Sequence, residues 1–261
     1  MSNSNPFKKI VLVGAGNVAT HLGTAFRNAG SQIVQIYSRT EATAKSLALT
    51  LGSEAVCDLE KLPQEADLYI IALPDSVVED IVPHIHLGEK TVVHTSGSLS
   101  MDFLANVSKN HGVIYIPQTF VKGIPLNYSD LHFCIEASNS EIQEKLSLFL
   151  KQISEHIMFV DSKQRITLHL AAIMVSNFTN CLYGMADEIL SKENIPLKIL
   201  QPLITETARK PEYGNPKLLQ TGPAKRKDEK IIQKHLDLLK SDLDYNELYA
   251  LFTKIIQRNN Q

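Results

Sequence analysis

The stretch Ile10-Val-Leu-Val-Gly14-Ala-Gly16-Asn-Val-Ala19 decides the fold. Residues 10 to 13 are apolar without interruption, so they predict a strand buried on both faces rather than one that alternates toward water. Beyond the glycines, Val18, Leu22, Phe26 and Ala29 recur at near-helical spacing, and Gly30 closes the pattern. A strand that turns directly into a helix is the context in which a GxGxxA string becomes a specific signal for a bound diphosphate. Gly14 permits the tight turn, Gly16 keeps side-chain atoms away from a pyrophosphate, and Ala19 lets the helix pack close to the strand. Asn17 and Val18 open the helix, where free N–H groups and the helix dipole favour an anion. The alternative is a glycine turn that joins strand to helix and holds no ligand.

Residues 33–37 read as the second strand, and its end discriminates between dinucleotides. An NAD site places Asp or Glu there to hold the ribose 2′-OH. Here the chain runs Ser38-Arg39-Thr40, with no carboxylate before Glu41. A guanidinium at Arg39 suits a 2′-phosphate, Ser38 and Thr40 add hydroxyls, and no anion stands there to repel it. The expected cofactor is NADP; the competing reading makes Arg39 a solvated surface residue. Enzymes of S-adenosylmethionine also use glycine turns, but follow the second strand with an acidic residue.

Outward from this unit, β-branched runs alternate with helical patterns. Strands are expected at 68–72, 90–94, 113–116 and 132–136, with a last one within 153–160, and helices at about 41–50 and 77–82. From about Asp161 the pattern is helical only. One long helix is expected over 165–191, broken before Pro196, then helices near 197–210, 228–240 and 246–257. The expected fold class is α/β: a Rossmann-type doubly wound, mostly parallel sheet followed by an all-helical C-terminal domain, divided as residues 1–160 and 161–261. With 44% hydrophobic and 21% charged residues among 261, the composition is that of a soluble globular protein. A net charge of −2 lacks the basic excess that nucleic-acid binding needs. The first nine residues are polar, with no signal-peptide core, and apolar runs such as 10–13 and 68–73 are too short to span a bilayer. A cytoplasmic protein without nucleic-acid or membrane partners is expected. Cys57, Cys134 and Cys181 lack CxxC spacing and read as buried reduced thiols, with neither a disulfide nor a metal site.

Ligands of open α/β sheets lie at the carboxyl ends of the strands. Leu73-Pro74-Asp75, His94-Thr95-Ser96-Gly97 and Pro117-Gln-Thr-Phe120 all fall there. Leu73, Pro74, Thr95 and Ser96 are candidates for the nicotinamide end of the cofactor; a plain loop or cap serves equally for Thr95 and Ser96, a core histidine for His94, and a helix cap for Asp75. In the long helix, His169, Ser176, Asn180, Tyr183 and Asp187 share one stripe, with Asn177 beside it. Either that stripe faces solvent while Ile173, Phe178 and Leu182 face the core, or its first part borders a cleft between domains. In the second case a protonated His169 can act as general acid and Asn177 as an orienting amide. Lys122 and Lys163 are weaker proton-donor candidates. The run Lys225-Arg226-Lys227 reads as a solvated turn or an anion contact.

GAGNVA at 14–19, HTSGS at 94–98, PQTF at 117–120, HLAAIMVSNF at 169–178 and TGPAKRKD at 221–228 together resemble the Rossmann-like plus DUF2520 family, whose members are described as NADP oxidoreductases. The resemblance spans nearly the whole chain. It implies kinship with pyrroline-5-carboxylate reductase, ketopantoate reductase and the 6-phosphogluconate dehydrogenase superfamily, which pair a Rossmann domain with a helical domain that commonly dimerises. The family's cofactor turn falls on Gly14, Gly16 and Ala19, and its loop on His94 to Gly97. Its helical His and Asn fall on His169 and Asn177, and its Gly-Pro and Arg-x-Asp element on Gly222, Pro223, Arg226 and Asp228. Two departures stand out. Ile116 replaces a histidine common before Pro117, and Lys227 replaces a glycine common between Arg226 and Asp228. His169 does not match the catalytic lysine of the hydroxyacid dehydrogenases, so its acid role comes from the residue itself.

The expectation is an NADP-dependent oxidoreductase that moves a hydride between NADP(H) and a small metabolite in a cleft between the domains. The rivals are a non-catalytic NADP sensor and hydride exchange with a deazaflavin. A homodimer through the helical half is expected, with Ile173, Leu182, Leu203 and Leu251 on the shared surface.

Overall fold

The computed structural model describes residues 5–259. They form two compact units, one ending at Asn177 and the other starting at Phe178. The sheet lies wholly in the first. Its strands are β1 (Lys9–Val13), β2 (Gln32–Tyr37), β3 (Glu54–Val56), β4 (Leu68–Ile71), β5 (Thr91–His94), β6 (His111–Tyr115), β7 (Phe133–Ala137) and β8 (Ile157–Phe159). They are ordered β3-β2-β1-β4-β5-β6-β7-β8. The order reverses direction between β1 and β4, so a crevice opens where Gly14 leaves one strand and Ala72 leaves the other. Helices α1 (Asn17–Asn28), α2 (Glu41–Leu51), α3 (Asp75–Ile81) and α4 (Ser140–Leu150) cover the sheet.

The uninterrupted apolar run of β1 reflects burial on both faces. Ile10 and Leu12 enter one core with Leu22, Phe26, Leu47 and Phe149, while Val11 and Val13 enter the other with Val77, Val78 and Ile81. All pairings are parallel except β6 with β7. No α-helix connects those two strands, and a parallel return needs a crossover that a loop does not supply. Among the strands and α-helices of the sheet unit, two lie outside the sequence reading. Strand β3 has only three residues. Helix α4 was legible: Asn139 caps it by accepting from Ile142 N at 3.0 Å, and Ile142, Leu146, Phe149 and Leu150 sit at helical spacing.

The expected single helix over 165–191 is two: α5 (Ser162–Val175) and α6 (Asn177–Ser191). Ser176 interrupts them with φ −116° and ψ −72°, and its hydroxyl bonds Thr119 Oγ1 at 2.6 Å. Asp161 and Gln164 form a reciprocal capping box at the start of α5. The reading that no apolar run suffices for a membrane span overlooked this region, because Ser162–Ser191 passes by length and composition, at a mean hydropathy of 1.2. Within it Arg165 is completely buried in an ion pair with Glu136 of β7, which commits the first half to the sheet unit.

The second unit is helical throughout: after α6 come α7 (Gln201–Arg209), α8 (Pro223–Arg226), α9 (Glu229–Leu238) and α10 (Leu243–Arg258). Among the described residues only Ala224 and Ile232 are buried in it, while Phe178, Ile199, Leu203, Leu238, Leu243 and Leu251 are all exposed. Phe178 and Leu182, cast as core residues in one reading of the stripe, are thus exposed. Lys227, at the position where the resemblance implies a glycine, adopts the left-handed conformation, φ +55°. Asp228 caps α9 through Ile231 N, so the cationic run ends in a helix start. The expectation of buried thiols holds for Cys134 alone; Cys57 and Cys181 are free and exposed, because they lie outside the strands that form the core.

Candidate functional site

The glycine turn is held from both sides. Gly14 N donates to Tyr37 O at 2.8 Å, and Ala72 N donates to Val13 O at 2.8 Å. Gly14 has φ +127°, and a Cβ there would lie 2.2 Å from Ala72 O, so only glycine fits. Gly16 differs: a Cβ on it would meet nothing within 4 Å. The space beside Gly16 is therefore open. Gly16 is also the N-cap of α1 without a side-chain cap bond, and the first turn contains no acidic residue. Asn17 is exposed, Val18 half-buried and Ala19 fully buried against the sheet. These features fit a diphosphate on the helix N-terminus.

At the end of β2, Ser38 is half-buried and donates its N–H to Val56 O at 3.1 Å. Arg39 and Thr40 are exposed, and Arg39 forms no ion pair among the described residues. At the end of β4, Leu73 is half-buried, and Pro74 is exposed as N-cap of α3.

A cavity of about 260 Å³ lies in the sheet unit, lined among others by Val18, Thr95, Gly97, Tyr115, His169 and Asn177. It brings together four regions that the sequence singled out separately: the start of α1, the loop after β5, residues 117–120 after β6 and the helix of His169. Thr95 is tied to β4 by its N–H bond to Ile71 O at 3.2 Å. Ser96 is buried, and its hydroxyl accepts from Ser98 N and Leu99 N, both at 3.0 Å, so it caps its own turn. Ser98 bonds the Asp75 carboxylate. His94 is completely buried, and burial first, then the charge of Arg165, pushes its pKa down to about 4. It accepts from Ser96 N at 3.2 Å and takes no place in the cavity wall.

His169 is half-buried. Its Nδ1 lies 3.2 Å from the Tyr115 hydroxyl, with the rings edge to face at 5.7 Å. A Cβ on Gly97 would lie 2.5 Å from both Cγ and Nδ1 of His169. Gly97 thus exists to let the imidazole lie against the loop. Tyr115 escaped the sequence reading: on a buried strand it looks like any core aromatic, and burial raises its pKa.

Arg165, one turn before His169 on α5, holds this arrangement. Its guanidinium donates to Ser96 O at 3.0 Å and Leu99 O at 2.7 Å. It also reaches Glu136 Oε2 through Nε at 3.2 Å and Nη2 at 3.1 Å. Ser162 completes the cluster by donating to Glu136 Oε1 at 2.6 Å. No sequence motif signalled Arg165. Of the weaker proton-donor candidates, Lys163 is exposed, and Lys122 donates to Ala15 O at 3.0 Å; neither lines the cavity. Asn180 and Asp187 are exposed and Tyr183 half-buried on α6. No cluster of metal-ligating side chains occurs among the described residues.

The doubly wound sheet, its reversal point and the glycine turn define a Rossmann-type dinucleotide-binding protein. Residues 9–97 match the family model described as NADP oxidoreductase coenzyme F420-dependent, and residues 131–256 match a domain of unknown function, DUF2520. A structure from Bacteroides fragilis, provisionally described as an NADP oxidoreductase, shares 40% identity, covers 98% of this chain and 100% of its own, and superposes with a TM-score of 0.92. The chain belongs to this family of Rossmann-like plus DUF2520 NADP oxidoreductases. Two more distant structures share the fold. A 1-pyrroline-5-carboxylate reductase from Streptococcus pyogenes has 14% identity, coverage of 98% and 100%, and a TM-score of 0.61. An imine reductase from Myxococcus stipitatus, solved with NADP+, has 16% identity, coverage of 96% and 93%, and a TM-score of 0.64. A search of curated proteins returned no match.

Proposed function

We propose that the protein is an NADPH-dependent reductase of a small carbonyl or imine compound, with His169 as general acid. The carrying observation is the Tyr115–His169 pair in the wall of a cavity that also reaches Val18 at the start of α1. In this reading the pyrophosphate lies on residues 14–19, with Gly14, Gly16, Asn17, Val18 and Ala19 forming its cradle. The 2′-phosphate lies on Arg39 between Ser38 and Thr40, and Leu73, Pro74, Thr95 and Ser96 border the nicotinamide side. The bound cofactor supplies the hydride.

The chain supplies the proton. With Nδ1–H donating to Tyr115 Oη, the imidazole is held in one orientation and its Nε2 is left for the cavity. Protonated there, His169 gives the Nε2 proton to the oxygen or nitrogen of the substrate as the hydride reaches the carbon. The neutral tautomer that remains keeps its bond to Tyr115. Asn177 at the cavity rim orients the substrate. Besides His169, the polar side chains lining the cavity are the hydroxyls of Thr95, Tyr115, Thr119 and Ser176 and the amides of Gln118 and Asn177, which suits an uncharged reacting end. A non-catalytic sensor would have no use for a proton donor placed so. Deazaflavin chemistry is the second reading, supported by the coenzyme F420-dependent description of the family matched over residues 9–97.

The helices after α5 pair two copies in a homodimer, which covers apolar side chains such as Leu203 and Leu251. A cytoplasmic location accompanies this reading. The test is a fluorescence titration with NADPH and NADH, in wild type and Arg39→Ala. NADPH should bind more tightly, by roughly tenfold for one guanidinium–phosphate contact, and the variant should lose the preference. Equal binding of both nucleotides, or none, would refute the NADP reading.

A further inference from the structure

The loop that follows β6 contributes a charge to the glycine turn. Lys122 donates to the carbonyl of Ala15 at 3.0 Å, and Ala15 lies between the two glycines. Among the described residues the ion pairs are Lys45–Glu41, Lys109–Glu89, Lys145–Glu141 and Arg165–Glu136, so no carboxylate neutralises Lys122. The start of α1 beside it carries no acidic residue either. A lysine on a flexible stem carries little weight by itself. The backbone just before this one, however, is fastened to α1.

His21, in the second turn of α1, is 6% exposed. Its Nε2 bonds Val121 O at 2.9 Å, and its Nδ1 bonds the Tyr128 hydroxyl at 3.1 Å. One neutral tautomer satisfies both contacts: Nε2–H donates to the carbonyl and Nδ1 accepts from the phenol. Phe120 is buried and packs on the His21 ring at 5.3 Å. The helix that presents the glycine turn therefore also fixes the residue preceding Lys122. Loop, histidine and lysine form a closed strap from α1 back to the turn that α1 begins with.

We propose that Lys122 is a phosphate ligand of the bound dinucleotide and that His21 is its positioning residue. This rests on the reading of the glycine turn as a diphosphate site. An ammonium has three donors; one is used on Ala15, next to Gly16 in the turn, which leaves two for a ligand. Arg39 and Lys122 then divide the recognition. Arg39 faces the 2′-phosphate, which NADP alone carries, and Lys122 faces the diphosphate common to NADP and NAD.

The experiment is the titration of the full chain with NADPH and NADH in wild type, Lys122→Ala, Lys122→Arg, His21→Gln and Arg39→Ala. Lys122→Ala should weaken both nucleotides by the same factor, about tenfold for a lost charge-assisted contact, and leave their ratio unchanged. Lys122→Arg should recover most of that loss, and His21→Gln should weaken both nucleotides with the lysine still present. Arg39→Ala should lower NADPH binding alone. The Lys122→Ala protein should melt like wild type without nucleotide, since its side chain is exposed. Unchanged affinities in Lys122→Ala would overturn the assignment, and so would a loss confined to NADPH. Wild type that binds neither nucleotide would instead remove the underlying diphosphate reading, and the assignment with it.

Discussion

Replacing Glu136 with Gln tests whether the buried ion pair organises the candidate site. Arg165 has no exposed side-chain surface, and that of Glu136 is 12% exposed. The substitution keeps the shape and one acceptor oxygen, but leaves a buried guanidinium without a countercharge. Removing one partner of a buried pair costs about 3–5 kcal/mol, because the other charge stays desolvated. The lower end applies, since Arg165 retains neutral acceptors at Ser96 O, Leu99 O and Ser162 Oγ. The expected loss is about 3 kcal/mol, which for a unit of this size lowers Tm by roughly 6–12 °C.

The assay is thermal and denaturant unfolding of wild type, Glu136→Gln, and the double variant Arg165→Met with Glu136→Leu. Exchanging the whole pair for apolar side chains removes the buried charges and should restore much of the loss, although Ser96 O and Leu99 O then lose a donor. Amide hydrogen exchange at Ser98 and Leu99, whose N–H groups bond Ser96 Oγ, should speed up in the single variant as the loop loosens. A cost below about 1 kcal/mol would refute the argument, since it would place the pair among weak solvated bridges. A double variant much less stable than the single one would equally refute it, by locating the energy in the carbonyl contacts and not in the charges.

Gly97→Ala places a Cβ 2.5 Å from the His169 ring, so the ring must shift against Tyr115; the His169 side-chain nitrogen resonances should move, and unshifted resonances would refute the contact. His94 titrates at about 4 in the fold against 6.5 in a free side chain, so the unfolded chain binds more protons between those values. Stability is then complete above pH 6.5 and falls as pH drops toward 4, by roughly 3 kcal/mol in all. His94→Gln should lose this slope, and an equally steep acid dependence in the variant would contradict it. Size-exclusion mass should be twice the 29.1 kDa of one chain; a monomer would contradict pairing through the helical half.

The sheet was legible because its determinants are local. Ile10 to Val13 announce a strand buried on both faces, and the glycines after them dictate where the chain turns. Strand direction is not local: the antiparallel β7 depends on the absence of an α-helix between residues 116 and 132, and no pattern within β7 itself records it. Ser176 similarly interrupts the long helix at a point where the apolar spacing runs on undisturbed. Its break coincides with a bond to Thr119, 57 residues earlier in the chain.

The candidate site divides along the same line. His169 drew attention as a histidine on an apolar helix, and the glycine turn as a motif. Tyr115 and Arg165, which hold His169 in place, looked ordinary: an aromatic on a strand and a cation on a helix. Their roles come from partners that meet only after folding, Tyr115 with His169 across 54 residues and Arg165 with Glu136 across 29. Lys227 shows the converse. Its side chain gives no local sign of a turn residue, yet its backbone takes the left-handed conformation that glycine favours, so the fold imposes the geometry and the side chain bears the strain. The helical half is the least legible part for a different physical reason. Helices such as α7 and α10 leave Leu203 and Leu251 exposed, so the apolar periodicity that marks a core within one chain here marks a surface. A sequence encodes that such a face exists; what covers it is encoded by complementarity to another surface, which no pattern within the chain records, and the homodimer proposed above would supply that surface from the same sequence.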